Sequence, residues 1–290
     1  MKIERIGEAR YELGESPIWD PVDGVLYFVD SLACAIFRYD PRSGEIRRWD
    51  VAGDYLGAMA LRSGGGAVLA MDHGFHAFDF ETGAATAIAE PEAGRADLCF
   101  NDGKVDRQGR FVAGSMHSDV TKPVGALYRL DTDLTCTKLD DGYICSNGPC
   151  WSPDGGILYV SDSNTGAIFA YAYEVATGAA TRRRTFHSTT ESGDYPDGCT
   201  VDAEGYVWSA RFEAGTILRI APDGAVDRAI ELPVRWVASL TFGGEDHDVL
   251  YVTSIGGAYQ GERDPSPQAG GLFAVRGLEI QGIPERRFAG

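Results

Sequence analysis

The chain has 290 residues, of which 44% are hydrophobic and 24% are charged, as in a globular protein with a sizeable core. Its net charge of −17 argues against nucleic acid as a partner, because phosphate backbones are bound by basic surfaces. No apolar run approaches the roughly 18 residues that span a bilayer, and the segment MKIERIGEARYELGES lacks the apolar core of a signal peptide. We therefore expect a cytoplasmic protein with no membrane partner, whose six cysteines are free thiols.

Short β-type segments recur along the chain, and each is followed by a turn and a second such segment. The first members begin at Val25, Ala67, Arg110, Ile157, Tyr206 and Val249, and the second members begin at Ala35, Gly74, Ala126, Ala167, Thr216 and Gly271. Their alternating pattern, their aromatic and β-branched residues and their glycine turns are typical of strands. Six units that repeat about every 40–50 residues predict an all-β protein with a six-bladed β-propeller. We assign residues 1–290 to one such domain.

A two-layer β-sandwich is the alternative architecture, but it does not require six units in step. In a propeller the last blade must be closed onto the first. The segment KIERIGEARY, near the N-terminus, is predicted to pair beside the strands of the last blade and to remove an exposed edge.

The inner strands of the six units align on one polar or small residue, which we call the ring position. A hydrophobic residue follows it by four and a turn glycine by eight or nine, as in Asp197, Val201 and Gly205. The ring positions are Glu15, Gly57, Asn101, Asn147, Asp197 and Ala238.

Equivalent positions of the innermost strands lie at one depth around the central channel of a propeller. The ring therefore brings two carboxylates and two amides together, and Gly57 and Ala238 are expected to leave space. Oxygen donors of this kind suit a hard divalent cation, which keeps open positions for water or substrate if only three side chains bind it. The alternative is that these residues only form turns, in which Asn-Gly and Asp-Gly pairs are common.

These residues lie in a series of short motifs. The motifs are GESPIW, FNDGKVD, FVAGSMH, SNGPCWSPDG, PDGCTVDAEGYVW, TFGG and the tail AGGLFAVRGLEIQGIPERRFAG. In them and in their order the chain resembles the regucalcin (senescence marker protein) and gluconolactonase family, from about residue 12 to its end.

The resemblance implies a six-bladed propeller with one divalent metal cation in the central channel and an enzyme that hydrolyses sugar lactones to aldonic acids. Carried over to this chain, it implies Glu15, Asn147 and Asp197 as metal ligands. It also implies Asp197 as the general base and Asn101 as a substrate contact beside the metal. The ion, whether Ca²⁺, Zn²⁺, Mn²⁺, Mg²⁺ or Fe²⁺, is left open.

The chain departs from the family at one substrate position. Many members have Arg two residues before the substrate Asn, where this chain has Cys99, a much poorer hydrogen-bond donor. Asp119 matches an acidic substrate contact of the relatives. Cys99 and Asp119 are therefore predicted in the substrate site, with the preferred sugar open.

Two other functions remain open from the sequence, and protein partners are unknown. One is a calcium-binding regulatory propeller without enzymatic activity, and the other is an esterase or organophosphate hydrolase on the same metal site. Four cysteines lie near the ring positions and could ligate zinc, namely Cys99, Cys145, Cys150 and Cys199. We interpret them as small buried hydrophobic residues instead.

Overall fold

A computed structural model describes residues 1–189 and 193–290. Its strands form six four-stranded antiparallel sheets, each a blade, and one two-stranded hairpin. The strands of the first half are β1 (Lys2–Ile6), β2 (Gly14–Asp20), β3 (Val25–Asp30), β4 (Ala35–Tyr39), β5 (Ile46–Asp50), β6 (Leu56–Leu61), β7 (Ala67–Met71), β8 (Gly74–Phe78), β9 (Ala85–Ala89), β10 (Leu98–Val105), β11 (Phe111–His117), β12 (Gly125–Leu130) and β13 (Cys136–Tyr143).

The strands of the second half are β14 (Ser146–Trp151), β15 (Ile157–Asp162), β16 (Ala167–Glu174), β17 (Ala179–Ser188), β18 (Tyr195–Val201), β19 (Val207–Phe212), β20 (Thr216–Ile220), β21 (Val226–Glu231), β22 (Val237–Gly243), β23 (Val249–Ser254), β24 (Ala258–Tyr259), β25 (Glu262–Arg263) and β26 (Leu272–Arg276). Within the described ranges the helical content is a single 3₁₀ turn at Ser163–Thr165. None of these residues forms a helix that is long and apolar enough to cross a membrane.

The sheets form a six-bladed β-propeller, so the predicted fold is confirmed and the sandwich alternative is wrong. Blades one to five each use four consecutive strands, beginning with β2, β6, β10, β14 and β18. The sixth blade has the order β1-β26-β23-β22, so the N-terminal strand forms its outer edge. β1 pairs antiparallel with β26 from Lys2 opposite Arg276 to Ile6 opposite Leu272, as the sequence predicted.

The hydrophobic core lies between neighbouring blades. β3, with the sequence VLYFVD, is buried along its whole length, because a strand inside a blade is covered on both faces. Aromatic rings join the blades across their faces. Trp19 of blade one stacks on Tyr251 of blade six with ring centroids 5.5 Å apart, which ties the ends of the chain together where the ring closes.

The C-terminal segment crosses one end of the channel. Gly282 bridges to Asp202 of blade five, and Phe288 bridges in parallel to Arg62 of blade two. Glu285 forms an ion pair with Lys104 of blade three at 3.2 Å. This segment covers one end of the channel, so the other end is the one that can admit a ligand.

We predict that Phe288→Ala destabilises the propeller. The ring is fully buried in the core between blades two and three, and loss of a buried Phe typically lowers the free energy of unfolding by about 3–5 kcal/mol. Urea denaturation measures the loss. The control is Arg286→Ala, an exposed position two residues away, and an equal loss in both variants would contradict a specific role of Phe288.

Candidate metal and substrate site

Four ring positions meet in a cavity of about 230 Å³ at the open end of the channel, which we call the mouth cavity. Glu15, Asn101, Asn147 and Asp197 line it, each from the inner strand of a different blade. A β-bulge interrupts each of these strands where the ring residue stands, as between Glu15 and Ile18. Bulges re-aim side chains and are common beside functional sites. The predicted convergence of these four residues is therefore present in the structure.

Two carboxylates, Glu15 and Asp197, are buried in the same cavity. Glu15 is 6% exposed and Asp197 is 8% exposed. Burial raises the pKa of Glu15 well above its ordinary value, and the charges of Asp197 and Asp102 raise it further. Burial and the charge of Asp102 likewise raise the pKa of Asp197. No Lys, Arg or His among the described residues forms an ion pair with either group.

A hydrogen-bond chain orients the two ring amides. Asn101 Nδ2 donates to Asn147 Oδ1 at 3.1 Å, and Asn147 Nδ2 donates to Ser163 Oγ at 2.9 Å. Tyr55 donates from its hydroxyl to Asn101 Oδ1 at 3.0 Å. Because a carbonyl oxygen has two lone pairs, Asn147 Oδ1 can still serve one further partner.

The chemistry of these donors fits a divalent cation. Two buried carboxylates with raised pKa values and an amide oxygen with spare acceptor capacity are oxygen donors that a hard cation binds, and such an ion would neutralise the charge that burial disfavours. The described residues contain no cluster of three His, Cys, Asp or Glu side chains that could hold a metal. The predicted ligand set differs from such a cluster, because its third member is the amide of Asn147.

The two small ring residues do not leave the space that the sequence suggested. A Cβ on Gly57 would lie 2.4 Å from the backbone oxygen of Asn101, so the neighbouring blade fills this place. Ala238 packs in an apolar cluster with Phe212 and Trp236. Gly57 therefore positions Asn101, and Ala238 supports the apolar side of the cavity.

Gly148 has a similar positioning effect between blades four and five. Its φ of +53° lies in the left-handed region, and a Cβ there would come within 2.8 Å of the backbone oxygen of Asp197. Asp102 accepts the N–H of Gly148 at 2.9 Å and fixes this bulge. One small residue thus sets the distance between the strands that carry Asn147 and Asp197.

The two other predicted substrate residues lie beside the cavity rather than in its lining. Cys99 is half-buried in β10, opposite Met116 of β11, and Asp119 is exposed in the turn that follows β11. Between them Ser118 does reach the lining. Contact of Cys99 and Asp119 with a substrate stays a prediction.

Sequence reasoning missed Leu13, Tyr55 and Tyr195, which stand two places before their ring positions and line the mouth cavity. Cys145 stands at the same offset and also lines the cavity, whereas Cys99, which was predicted in the substrate site, is not in the lining. The spacing that identifies the ring positions also identifies this offset. The side chains there differ in chemical type from blade to blade, so the sequence does not indicate that they share a function.

A repeated hydrogen-bond pattern holds these residues. Asp30, at the end of β3, accepts the backbone N–H groups of Glu12 at 2.7 Å and Leu13 at 3.1 Å. In the same way the carboxylate of Asp72 accepts the backbone N–H of Tyr55, that of Asp162 accepts the N–H of Cys145, and that of Asp264 accepts the N–H of Trp236. The carboxylates replace missing strand partners, so the inner strands of these four blades start at a fixed height.

Three of the four cysteines near the ring positions are buried, and Cys99 is half-buried. Burial raises the pKa values of the Cys145 and Cys150 thiols well above the ordinary value. Cys150 and Cys199 belong to the hydrophobic core between blades four and five. The interpretation as small buried hydrophobic residues agrees with the surroundings of these two.

The fold and cavity define a six-bladed propeller with a polar site at the open end of its channel, and known proteins are similar to this chain in sequence and fold. The family model of the SMP-30/Gluconolactonase/LRE-like region matches residues 13–256. Regucalcin of Xenopus laevis is 36% identical over 100% of this chain and 99% of its own length. A 6-deoxy-6-sulfogluconolactonase of Pseudomonas putida is 35% identical over 96% of this chain and 95% of its own length.

A solved structure of a calcium-binding protein, regucalcin, from Agrobacterium tumefaciens superposes with a TM-score of 0.92 at 27% identity, over 99% of this chain and 97% of that chain. The chain therefore belongs to the SMP-30/gluconolactonase/LRE-like family. The resemblance inferred from the sequence motifs is confirmed.

We predict that Asp197→Asn stabilises the metal-free protein at neutral pH. The folded-state pKa of this carboxyl is raised, so the destabilisation is absent below its unfolded pKa and grows as the pH rises toward the folded value. Removing a buried charge of this kind should add about 0.5–2 kcal/mol to the free energy of unfolding.

Urea denaturation of chelator-treated protein between pH 4 and pH 8 measures this effect. Asp223→Asn is the control, because Asp223 is exposed. A buried carboxylate that stabilises the fold would give the opposite result, with Asp197→Asn less stable than wild type at pH 8.

Proposed function

We propose that this protein is a lactonase that opens sugar lactones to aldonic acids with the help of one divalent metal cation. The observation that carries the proposal is the pair of buried carboxylates, Glu15 and Asp197, which form no ion pair with any Lys, Arg or His that the structure describes and share a cavity with two amides. The enzyme class predicted from the sequence, a lactonase, is borne out by the family and by the relatives whose names state that activity.

In this proposal Glu15, Asn147 and Asp197 hold the cation, and Asn101 contacts the substrate beside it. A divalent cation bound there supplies a Lewis acid that polarises the lactone carbonyl and lowers the pKa of a water. The three donors come from the inner strands of separate blades, and a cation bound by only three protein groups would keep positions for water and substrate. The identity of the ion is not part of the proposal, since oxygen donors accept several divalent metals.

Asp197 is proposed as the general base. Its carboxylate would take a proton from the water that attacks the carbonyl carbon, and it would return that proton to the ring oxygen as the C–O bond breaks. The Asn101 amide would orient the substrate. The hydroxyl of Tyr55 donates a hydrogen bond to the amide oxygen of Asn101. The amide is therefore oriented before the substrate binds, which lowers the entropic cost of reaching the reactive geometry.

Cys99 and Asp119 are proposed at the edge of the substrate site. Cys99 lies next to Phe100 in the strand that carries Asn101, and Asp119 follows Ser118 of the cavity lining. A thiol at the first position would give substrate hydroxyls little hydrogen bonding.

We predict that lactone hydrolysis by this protein depends on a divalent metal. Acid release from D-glucono-1,5-lactone should fall to the uncatalysed rate after treatment with a chelator, and it should return when one divalent metal is added back. Titration at constant pH measures acid release. Full activity without metal would contradict the cation site, whereas metal binding without turnover of any lactone would favour the calcium-binding regulatory alternative.

We predict that Asp197→Ala lowers kcat by at least about 100-fold, since loss of a general base typically costs 10²–10⁴-fold and a proposed ligand is lost with it. The propeller should remain folded, as judged by circular dichroism. Asp223→Ala is the control on an exposed carboxylate of the same blade. If Asp197→Ala keeps near wild-type turnover, the site assignment is wrong.

A further inference from the structure

The two sides of the mouth cavity differ in chemistry. Tyr55 and Asn101 come from blades two and three, which lie across a six-bladed ring from blades five and six. Blade five and the hairpin β24–β25, which follows β23 of blade six, supply an aromatic wall, which we define as Tyr195, Phe212 and Tyr259. A ligand held at the carboxylates therefore has a side lined by amides and a side lined by aromatic rings to contact.

The aromatic wall is packed and supported from behind. The rings of Phe212 and Tyr259 meet edge to face with centroids 5.0 Å apart, and Tyr195 lies 6.1 Å from Phe212. Trp236 is fully buried behind Phe212, with ring centroids 5.3 Å apart. Aromatic surfaces held in place by their neighbours offer binding area to an apolar group at low entropic cost.

The cavity offers no cation to an anionic substituent. Among the described residues its lining contains no Lys, Arg or His, and Glu15 and Asp197 are its only carboxylates. The side chain of Arg211, whose charge lowers the pKa of Asp197, is fully buried and donates to Asp194 at 2.7 Å. A carboxylate, phosphate or sulfonate on the substrate would lose water without gaining a cationic partner.

The amides of the lining already bond to neighbouring groups. Asn101 and Asn147 serve each other and Ser163. Asn164 donates its Nδ2 to the carbonyl of Val120 at 3.0 Å. On the aromatic side the phenol hydroxyls of Tyr195 and Tyr259 are the polar side-chain groups, and a substrate hydroxyl that packs on the rings without reaching them stays unpaired at a cost in free energy.

We propose that the mouth cavity selects uncharged lactones that carry an apolar group remote from the carbonyl, such as 6-deoxyhexonolactones, and discriminates against anionic lactones. The apolar group packs on the aromatic wall while the carbonyl faces Glu15 and Asp197. This inference rests on the proposed lactonase function and adds the class of substrate.

The test compares three six-carbon 1,4-lactones of the same L-manno configuration on metal-loaded enzyme. They are L-rhamnono-1,4-lactone, which ends in a methyl group, L-mannono-1,4-lactone, which ends in a hydroxymethyl group, and L-mannaro-1,4-lactone, which ends in a carboxylate. We expect kcat/KM for the methyl compound to exceed that of the hydroxymethyl compound by about tenfold or more. The carboxylate compound should fall about 100-fold or more below the methyl compound, because the enzyme leaves its charge unpaired.

A gain-of-function variant tests the charge argument separately. Leu32 lines the cavity rim and is 49% exposed, so Leu32→Arg adds a cation without burying it. The ratio of kcat/KM for the carboxylate compound to that for the methyl compound should rise about tenfold or more. The matched control is Val22→Arg, which adds the same charge in the turn after β2, at the opposite end of the propeller, and should leave the ratio unchanged.

The possible failures are distinguishable. If no lactone is hydrolysed with any divalent metal, the proposed function and this inference fall together. If lactones are hydrolysed but the carboxylate or hydroxymethyl compound matches the methyl compound, the lactonase stands and the inference about the substrate class is wrong. An unchanged ratio in folded Leu32→Arg likewise overturns the charge argument.

Discussion

The structure depends on the cost of burying two carboxylates of like charge. Glu15 and Asp197 are removed from water in a cavity whose described lining contains no Lys, Arg or His, and burial raises the pKa of both. A fold tolerates such a pair only when the rest of the molecule holds the backbone around it. The propeller does so by placing each carboxylate on a bulge of an inner strand that is covered on both sides by neighbouring blades.

That rigidity has its source at the periphery of the ring. β1 completes the sixth blade through five paired residues, and Trp19 stacks on Tyr251 across the same junction. The C-terminal segment covers the end of the channel opposite the mouth cavity, where it is held by the buried ring of Phe288 and by the ion pair between Glu285 and Lys104. Both chain ends thus stabilise the channel, although neither contributes a residue to the mouth cavity.

The repeat separates positions that keep their chemistry from positions that vary. Asp30, Asp72 and Asp162 hold the start of three inner strands in the same way. The residue two places before the ring position varies, from Leu13 to Tyr55 to Cys145. The repeat therefore fixes where these inner strands begin and leaves the side chains at the mouth free to differ from blade to blade, and the aromatic wall with Phe212 is one result of that freedom.

The sequence by itself determined the propeller, the closing strand and the ring residues, because each blade repeats a local pattern of strands and turns. Even the strand VLYFVD was identified over its whole length, since alternation and turn signals are local. The hairpin β24–β25 was not found, because four residues inside a long polar loop carry no such pattern.

Only the tertiary structure decided that Gly57 is packed against Asn101, that Tyr55 bonds to Asn101 across a blade boundary, and that aromatic rings of blade five and of the hairpin form one wall. These contacts join residues far apart in the chain, and their geometry is set by how the blades pack around the channel.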